Sequence, residues 1–91
     1  MGKYIVRIEA SAKKELQFHY KSGNKATIKR IEQILKELSI NPYEGNGNPE
    51  KLKYELSGFW SRRLNSKDRS IYEVIENRIT VIVISALGHY D

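Results

Sequence analysis

The sequence predicts an α+β fold, a two-helix hairpin packed on one face of a small antiparallel sheet. Three observations lead there. A short alternating run opens the chain, two segments with helical apolar spacing follow, and the rest divides into short runs separated by turn residues. Those last connections are too short for a parallel return, which needs a crossover of a dozen or more residues. At 91 residues and 40% hydrophobic, the chain is expected to form a single domain over residues 1–91 around one core.

Tyr4 to Ile8 alternate, with Tyr4, Val6 and Ile8 sharing a face, and read as a strand. Ser11 is the expected cap of a first helix reaching about Tyr20, with Ala12, Leu16 and Tyr20 on its packed side. Ser22-Gly23-Asn24 breaks the pattern, and Gly23 suits a helix C-terminus. The second helix is the clearest element. Ile28, Ile31, Ile34, Leu35 and Leu38 form its apolar stripe, Lys29, Arg30, Glu32, Lys36 and Glu37 mostly occupy its wet face, and Asn41-Pro42 stops it. Residues 41–50 are a connector rich in turn-formers. Leu52, Tyr54 and Leu56 then alternate with Lys53 and Glu55 as a half-buried strand. Ser57-Gly58 turns the chain into Trp60 to Leu64, Asn65 to Asp68 is a second turn, Arg69 to Glu76 a strand, and Asn77 a third turn. Ile79 to Ser85, apolar on both faces at Val81 to Ile84, is the expected central strand, covered on both sides. The other sheet face stays partly open, and function can sit there.

Lysine and arginine outnumber aspartate and glutamate by 16 to 11, a formal charge of +5. Polyanions and acidic proteins suit such a chain. Residues 13–38 and residues 51–70 each carry a net +4. Helix lysines chiefly confer solubility. Within 51–70, Arg62, Arg63 and Arg69 offer guanidinium forks that match phosphate oxygens, so this cluster reads either as a phosphate-binding surface or as a solvated face. With no cysteine, disulfides, thiolate zinc sites and a cysteine nucleophile are excluded. His19 and His89 are too few for a histidine-built metal cage unless carboxylates complete it, and no metal or other cofactor is expected. No apolar run approaches the roughly 20 residues that span a bilayer, and the start lacks a secretion signal. The expectation is a cytoplasmic protein without membrane contact.

Gly45-Asn46-Gly47 has neither the Gly-Lys-Ser/Thr nor the following helix of a phosphate-cradling loop, and reads as a flexible turn. Ser57, Ser61, Ser66 and Ser70 lack the strand-to-helix elbow of a hydrolase nucleophile. His19 reads as a surface or core-edge residue, and Phe59 and Trp60 as core anchors. His89-Tyr90 is either a frayed tail or a pair delivered to the sheet edge by the stiff strand ending at Ser85.

One continuous pattern remains. It is Asn41-Pro42-Tyr43-Glu44-Gly45-Asn46-Gly47-Asn48-Pro49-Glu50-Lys51-Leu52-Lys53, then Leu56-Ser57-Gly58-Phe59-Trp60-Ser61-Arg62-Arg63-Leu64, then Arg69 and Tyr72. It closely resembles the Txe/YoeB family, a branch of the RelE/ParE-type toxins of bacterial type II toxin–antitoxin modules. The similarity runs from about Asn24 to Tyr90. The resemblance implies a RelE-like fold and a ribosome-dependent mRNA endoribonuclease that needs no metal. On the matching positions it makes Glu50, Arg69, His89 and Tyr90 the catalytic set, with Lys53 and Arg63 lining the same substrate-binding surface.

The implied chemistry uses the ribose 2′-hydroxyl as nucleophile on the adjacent phosphate, giving a 2′,3′-cyclic phosphate and a 5′-hydroxyl. Glu50 would be the base, Arg69 with Lys53 and Arg63 the charge stabiliser, and His89 the acid, while Tyr90 stacks on a base or orients the phosphate. Glu50 and His89 are interchangeable in these roles at this level. Glu and His ordinarily titrate near about 4.3 and 6.5, a poor base and a partly protonated acid, so the ribosome is expected to supply positioning. The implied partners are mRNA on the ribosome, a cognate antitoxin laid over the 51–70 surface and the tail, and a second copy in a homodimer. Two positions depart from the family pattern. Asp91 follows Tyr90, and Lys51 stands where a proline often follows the carboxylate. The alternatives are a non-catalytic toxin on the same fold, such as a gyrase poison, or an inactive RNA- or antitoxin-binding module.

Overall fold

A computed structural model describes residues 3–53 and 58–88. In chain order these form β1 (Ile5–Ile8), α1 (Ala10–Ser22), α2 (Lys25–Ile40), β2 (Glu50–Lys51), β3 (Phe59–Arg63), β4 (Arg69–Ile75), a 3-10 turn (Glu76–Arg78) and β5 (Thr80–Ser85). The strands make one sheet in the order β1-β5-β4-β3-β2. The pairs β2–β3, β3–β4 and β4–β5 are antiparallel, as their short connections require. The fold class is the expected one, but the sheet is mixed, because β1 runs parallel to β5. Everything between those two strands, the helical hairpin included, serves as their crossover.

The helices cover one face. Ala12 and Leu16 of α1 and Ile31, Ile34 and Leu38 of α2 pack with Tyr72, Val81 and Val83 of the sheet. β4, not β5, is the middle strand. β5 has a neighbour on each edge, yet of its apolar run Val81 and Val83 are buried while Ile82 and Ile84 on the opposite face stay half-exposed. The expected double covering fails because both helices lie on the same side.

α2 begins with Asn24, whose Oδ1 accepts from the Thr27 amide at 3.1 Å, and ends at Asn41 as its sequence predicts. α1 differs from expectation at both ends. Its N-cap is Glu9, and Ser11 lies inside the first turn with its hydroxyl on the Ile84 carbonyl. Tyr20 is exposed, and His19 takes the buried place after Leu16. A 3.6-residue turn makes a step of three as good as a step of four, and His19 finds a polar partner inside, described below. Gly23 turns the chain at φ 76° between the helices. β2 precedes the predicted strand at 52–56: Leu52 and Lys53 lie just past its end, and residues 54–56 are outside the described residues. Leu52 is nevertheless buried and its amide donates to Phe59 O at 2.9 Å. Trp60 is half-buried and packs against the core, its ring 5.2 Å from that of Tyr43, whereas Phe59, also half-buried, shares the opposite strand face with Ser61 and Arg63 and is not a core anchor.

The Tyr4 hydroxyl donates to Glu76 Oε2 at 2.8 Å, and the Tyr43 hydroxyl donates to the same oxygen. These two bonds, Tyr43's the larger, hold the Glu76 carboxyl below its ordinary value of 4.5. Burial, and then the same carboxylate, push the Tyr43 hydroxyl up. A depressed carboxyl stabilises the fold above its ordinary pKa and stops doing so as pH falls through the folded-state value. The wild type is therefore expected to exceed Glu76→Gln in stability at neutral pH, with the margin narrowing below 4.5. Urea unfolding of both proteins across this range checks the sign; a margin that does not depend on pH would contradict it.

Candidate functional site

Alternation along the strands decides which basic groups reach the open face. Glu50 of β2 pairs with Ser61 of β3, and Arg63 of β3 pairs with Arg69 of β4. Cross-strand partners share a face, and next neighbours do not. Arg62 therefore points the other way, toward α2, and is fully buried.

Its guanidinium donates to Glu37 Oε1 at 2.7 Å and to three connector carbonyls, Asn41 at 3.3 Å, Glu44 at 2.9 Å and Asn46 at 3.2 Å. Its Nε donates to the Tyr72 hydroxyl at 3.2 Å, which in turn donates to Pro42 O at 2.6 Å. Burying a guanidinium is tolerable only with this degree of pairing. Arg62 thus leaves the candidate phosphate-binding cluster and becomes the centre of a cage. The Glu37 carboxylate also accepts from the Asn46 amide at 2.8 Å and its side chain at 2.6 Å.

The connector is accordingly not a loose turn. Gly45 and Gly47 have φ of 131° and 85°. A Cβ on Gly47 would lie 2.8 Å from Arg63 O, and one on Gly45 would collide with the Glu37 carboxylate. Gly47 O accepts from Arg63 N at 2.6 Å. Tied to β3 in this way, the connector delivers Glu50 to the sheet edge.

On the open face, Arg69 Nη1 donates to Glu50 Oε1 at 2.9 Å and to Ser61 Oγ at 3.4 Å. The Arg69 side chain is 24% exposed and that of Glu50 50%, so a carboxylate on the wet rim caps a half-covered guanidinium. Arg63 is exposed directly across from Arg69, and two cations so placed favour a polyanion between them. Lys53 is exposed just past the end of β2. His89 and Tyr90 lie outside the described residues. The residue before them, Gly88, accepts from Arg69 N at 2.7 Å through its carbonyl and donates to Asp68 Oδ1 at 2.8 Å. Burial by itself would raise the Asp68 carboxyl, but the Gly88 amide and the Asn65 side chain outweigh it and hold it low.

The site therefore joins Glu50, Ser61, Arg63 and Arg69. Ser61 carried no signal in the sequence beyond its parity with Arg63 along the strand. A guanidinium in contact with a carboxylate on a basic face can bind a phosphodiester and set a proton acceptor beside a sugar hydroxyl. Among the described residues, no group of three or more His, Asp or Glu is placed to hold a metal, and no helix is long and apolar enough to cross a membrane.

Comparison with known proteins agrees with the sequence pattern. The family model for the YoeB-like toxin of bacterial type II toxin–antitoxin systems matches residues 9–90. Toxin YoeB of Synechocystis sp. is 38% identical over 81 residues, which are 85% of this chain and 92% of that protein. The YoeB dimer from Staphylococcus aureus superposes with a TM-score of 0.79 at 31% identity, covering 97% of this chain and 99% of its own. A chain of the heterotetrameric YoeB–YefM toxin–antitoxin complex from the same organism gives 0.77 at 31% identity, covering 96% and 98%.

Proposed function

The chain belongs to the YoeB-like toxins of bacterial type II toxin–antitoxin systems, and on that footing we propose that it is a metal-independent endoribonuclease acting on mRNA in the ribosome and silenced by a cognate antitoxin. The observation that carries this reading is the 2.9 Å contact between Glu50 and Arg69 on the open sheet face.

In the proposed reaction, Glu50 accepts the proton of a ribose 2′-hydroxyl as that oxygen bonds to the adjacent phosphorus. Arg69, helped by Arg63 across from it and by Lys53, meets the negative charge that gathers on the phosphoryl oxygens. The bond to the 5′ oxygen breaks, and His89 gives that oxygen its proton. Tyr90 stacks on a neighbouring base or orients the phosphate. The products are a 2′,3′-cyclic phosphate and a 5′-hydroxyl, so atoms and protons balance without water. Base and acid each supply about 10²–10⁴-fold, and the ribosome supplies the rest by holding the message in line for attack. The nucleophile belongs to the RNA, and DNA is therefore not a substrate.

A message with one 2′-deoxynucleotide at the scissile position is expected to survive on the ribosome, while the all-ribose message is cut with cyclic phosphate ends. Equal cutting of both messages would overturn the reaction. We extend two associations from the relatives to this chain: a YefM-like antitoxin, whose acidic segment covers the 51–70 surface and the tail, and self-association into a dimer. Its place of action is the bacterial cytoplasm. The non-catalytic alternatives make no use of the carboxylate–guanidinium contact.

A further inference from the structure

Glu15, His19 and Asp68 have no part in the chemistry proposed above, yet all three converge on residues 86–88, just ahead of His89. Ala86 is fully buried. Its amide donates to Glu15 Oε1 at 2.7 Å, and its carbonyl lies 2.6 Å from His19 Nε2. One helix thus holds both polar groups of a residue past the end of β5. Two residues on, Asp68 Oδ1 accepts from the Gly88 amide at 2.8 Å, and the Gly88 carbonyl accepts from the Arg69 amide at 2.7 Å. Asp68 is itself fixed, since its Oδ2 accepts from Asn65 Nδ2 at 3.0 Å. His19 and Asp68 are only 3% and 7% exposed. Gly88 adopts φ 73°, a turn for which glycine is suited.

Chain ends past the last strand ordinarily fray. Here three side chains of polar or charged character, two of them buried, are committed to the backbone of this segment, pairing groups that burial would otherwise leave unsatisfied. The ladder also changes step nearby: Tyr72 pairs with Val83 but Ile71 with Ser85, so β5 carries an extra residue where it approaches the site. Such bulges re-aim a strand.

We propose that Glu15, His19 and Asp68 form a positioning clamp that fixes residues 86–88 beside Arg69, and so fixes the point from which the chain continues to the His89–Tyr90 pair. The proposal rests on the nuclease reading. One peptide separates Gly88 from His89, about 3.8 Å between Cα atoms, so looseness at 86–88 passes directly to the imidazole. A misplacement of about 1 Å can cost about 10²-fold in rate.

The test uses mRNA-programmed ribosomes and the full chain. Glu15→Ala keeps the best helix former in α1 and removes the acceptor for the Ala86 amide. Its kcat should fall about tenfold, with KM changed less than about twofold and the helical circular dichroism retained. Glu15→Gln, which still presents an acceptor oxygen, should recover most of the rate. His19→Phe should show the same split between kcat and KM, with partial recovery in His19→Gln. Apart from activity, the Gly88 amide should exchange with deuterium faster in Glu15→Ala than in wild type. Unchanged kcat in both Glu15→Ala and His19→Phe, beside an inactive Arg69→Ala, overturns the clamp and leaves the nuclease reading standing. A loss that neither glutamine variant restores marks general structural damage and also overturns it. A wild-type protein that leaves ribosome-bound mRNA whole fails the nuclease reading, and the clamp's purpose with it.

Discussion

Arg69→Ala is expected to slow cleavage of ribosome-bound mRNA by about 10²–10³-fold, the usual loss when one preorganised donor to a developing oxyanion is removed. The protein should stay folded. Its ion pair joins a 24% exposed guanidinium to a 50% exposed carboxylate, and such surface pairs contribute about 0–1 kcal/mol. A drop in rate without a drop in melting temperature is the signature of a group that acts in the reaction. Arg69→Lys should recover little, because a point charge cannot span Glu50, Ser61 and a phosphate as a planar fork does. Glu50→Ala and His89→Ala should each lose about 10²–10⁴-fold. Primer extension on stalled ribosomes, read beside thermal melts, gives both numbers. Wild-type rates in Arg69→Ala would remove the charge-stabilising role.

The neighbouring pair Arg62 and Arg63 should separate stability from activity. Arg62→Ala is expected to destabilise the fold by about 3–5 kcal/mol, the range for deleting one partner of a buried ion pair. It removes the cation from the Glu37 carboxylate, which keeps only its bonds from Asn46, and the donor from the carbonyls of Asn41, Glu44 and Asn46. That is a large part of the roughly 5–15 kcal/mol that holds a domain folded. Arg63→Ala, at an exposed position, should stay within about 0.5 kcal/mol of wild type while weakening cleavage. Urea midpoints for the two variants make the comparison. A loss below about 1 kcal/mol in Arg62→Ala would show that the connector holds its shape without the guanidinium.

This contrast marks where local reading reached and where it stopped. The parity of Trp60 and Arg62 against Ser61 and Arg63 is written in the strand, but which face the helices would cover is not. Charge counting therefore treated two adjacent arginines alike, although one centres a cage and the other faces solvent. In α1, the same limit appears at His19 and Tyr20. Both lie on turns that can follow Leu16, and only the Ala86 carbonyl inside the fold selects the histidine.

The sequence by itself determined the two helices and the ends of α2, the antiparallel order of the later strands and the family motif from Asn41 to Tyr72. Helix stripes, caps and tight turns depend on residues within a few positions of one another, so their physics can be read along the chain. The tertiary structure alone decided that β1 joins β5 in parallel, with Ile5 beside Thr80, that Arg69 meets Glu50, and that α1 grips the approach to the C-terminus. Those partners are remote in sequence and meet only through sheet register and helix docking, which no local spacing encodes.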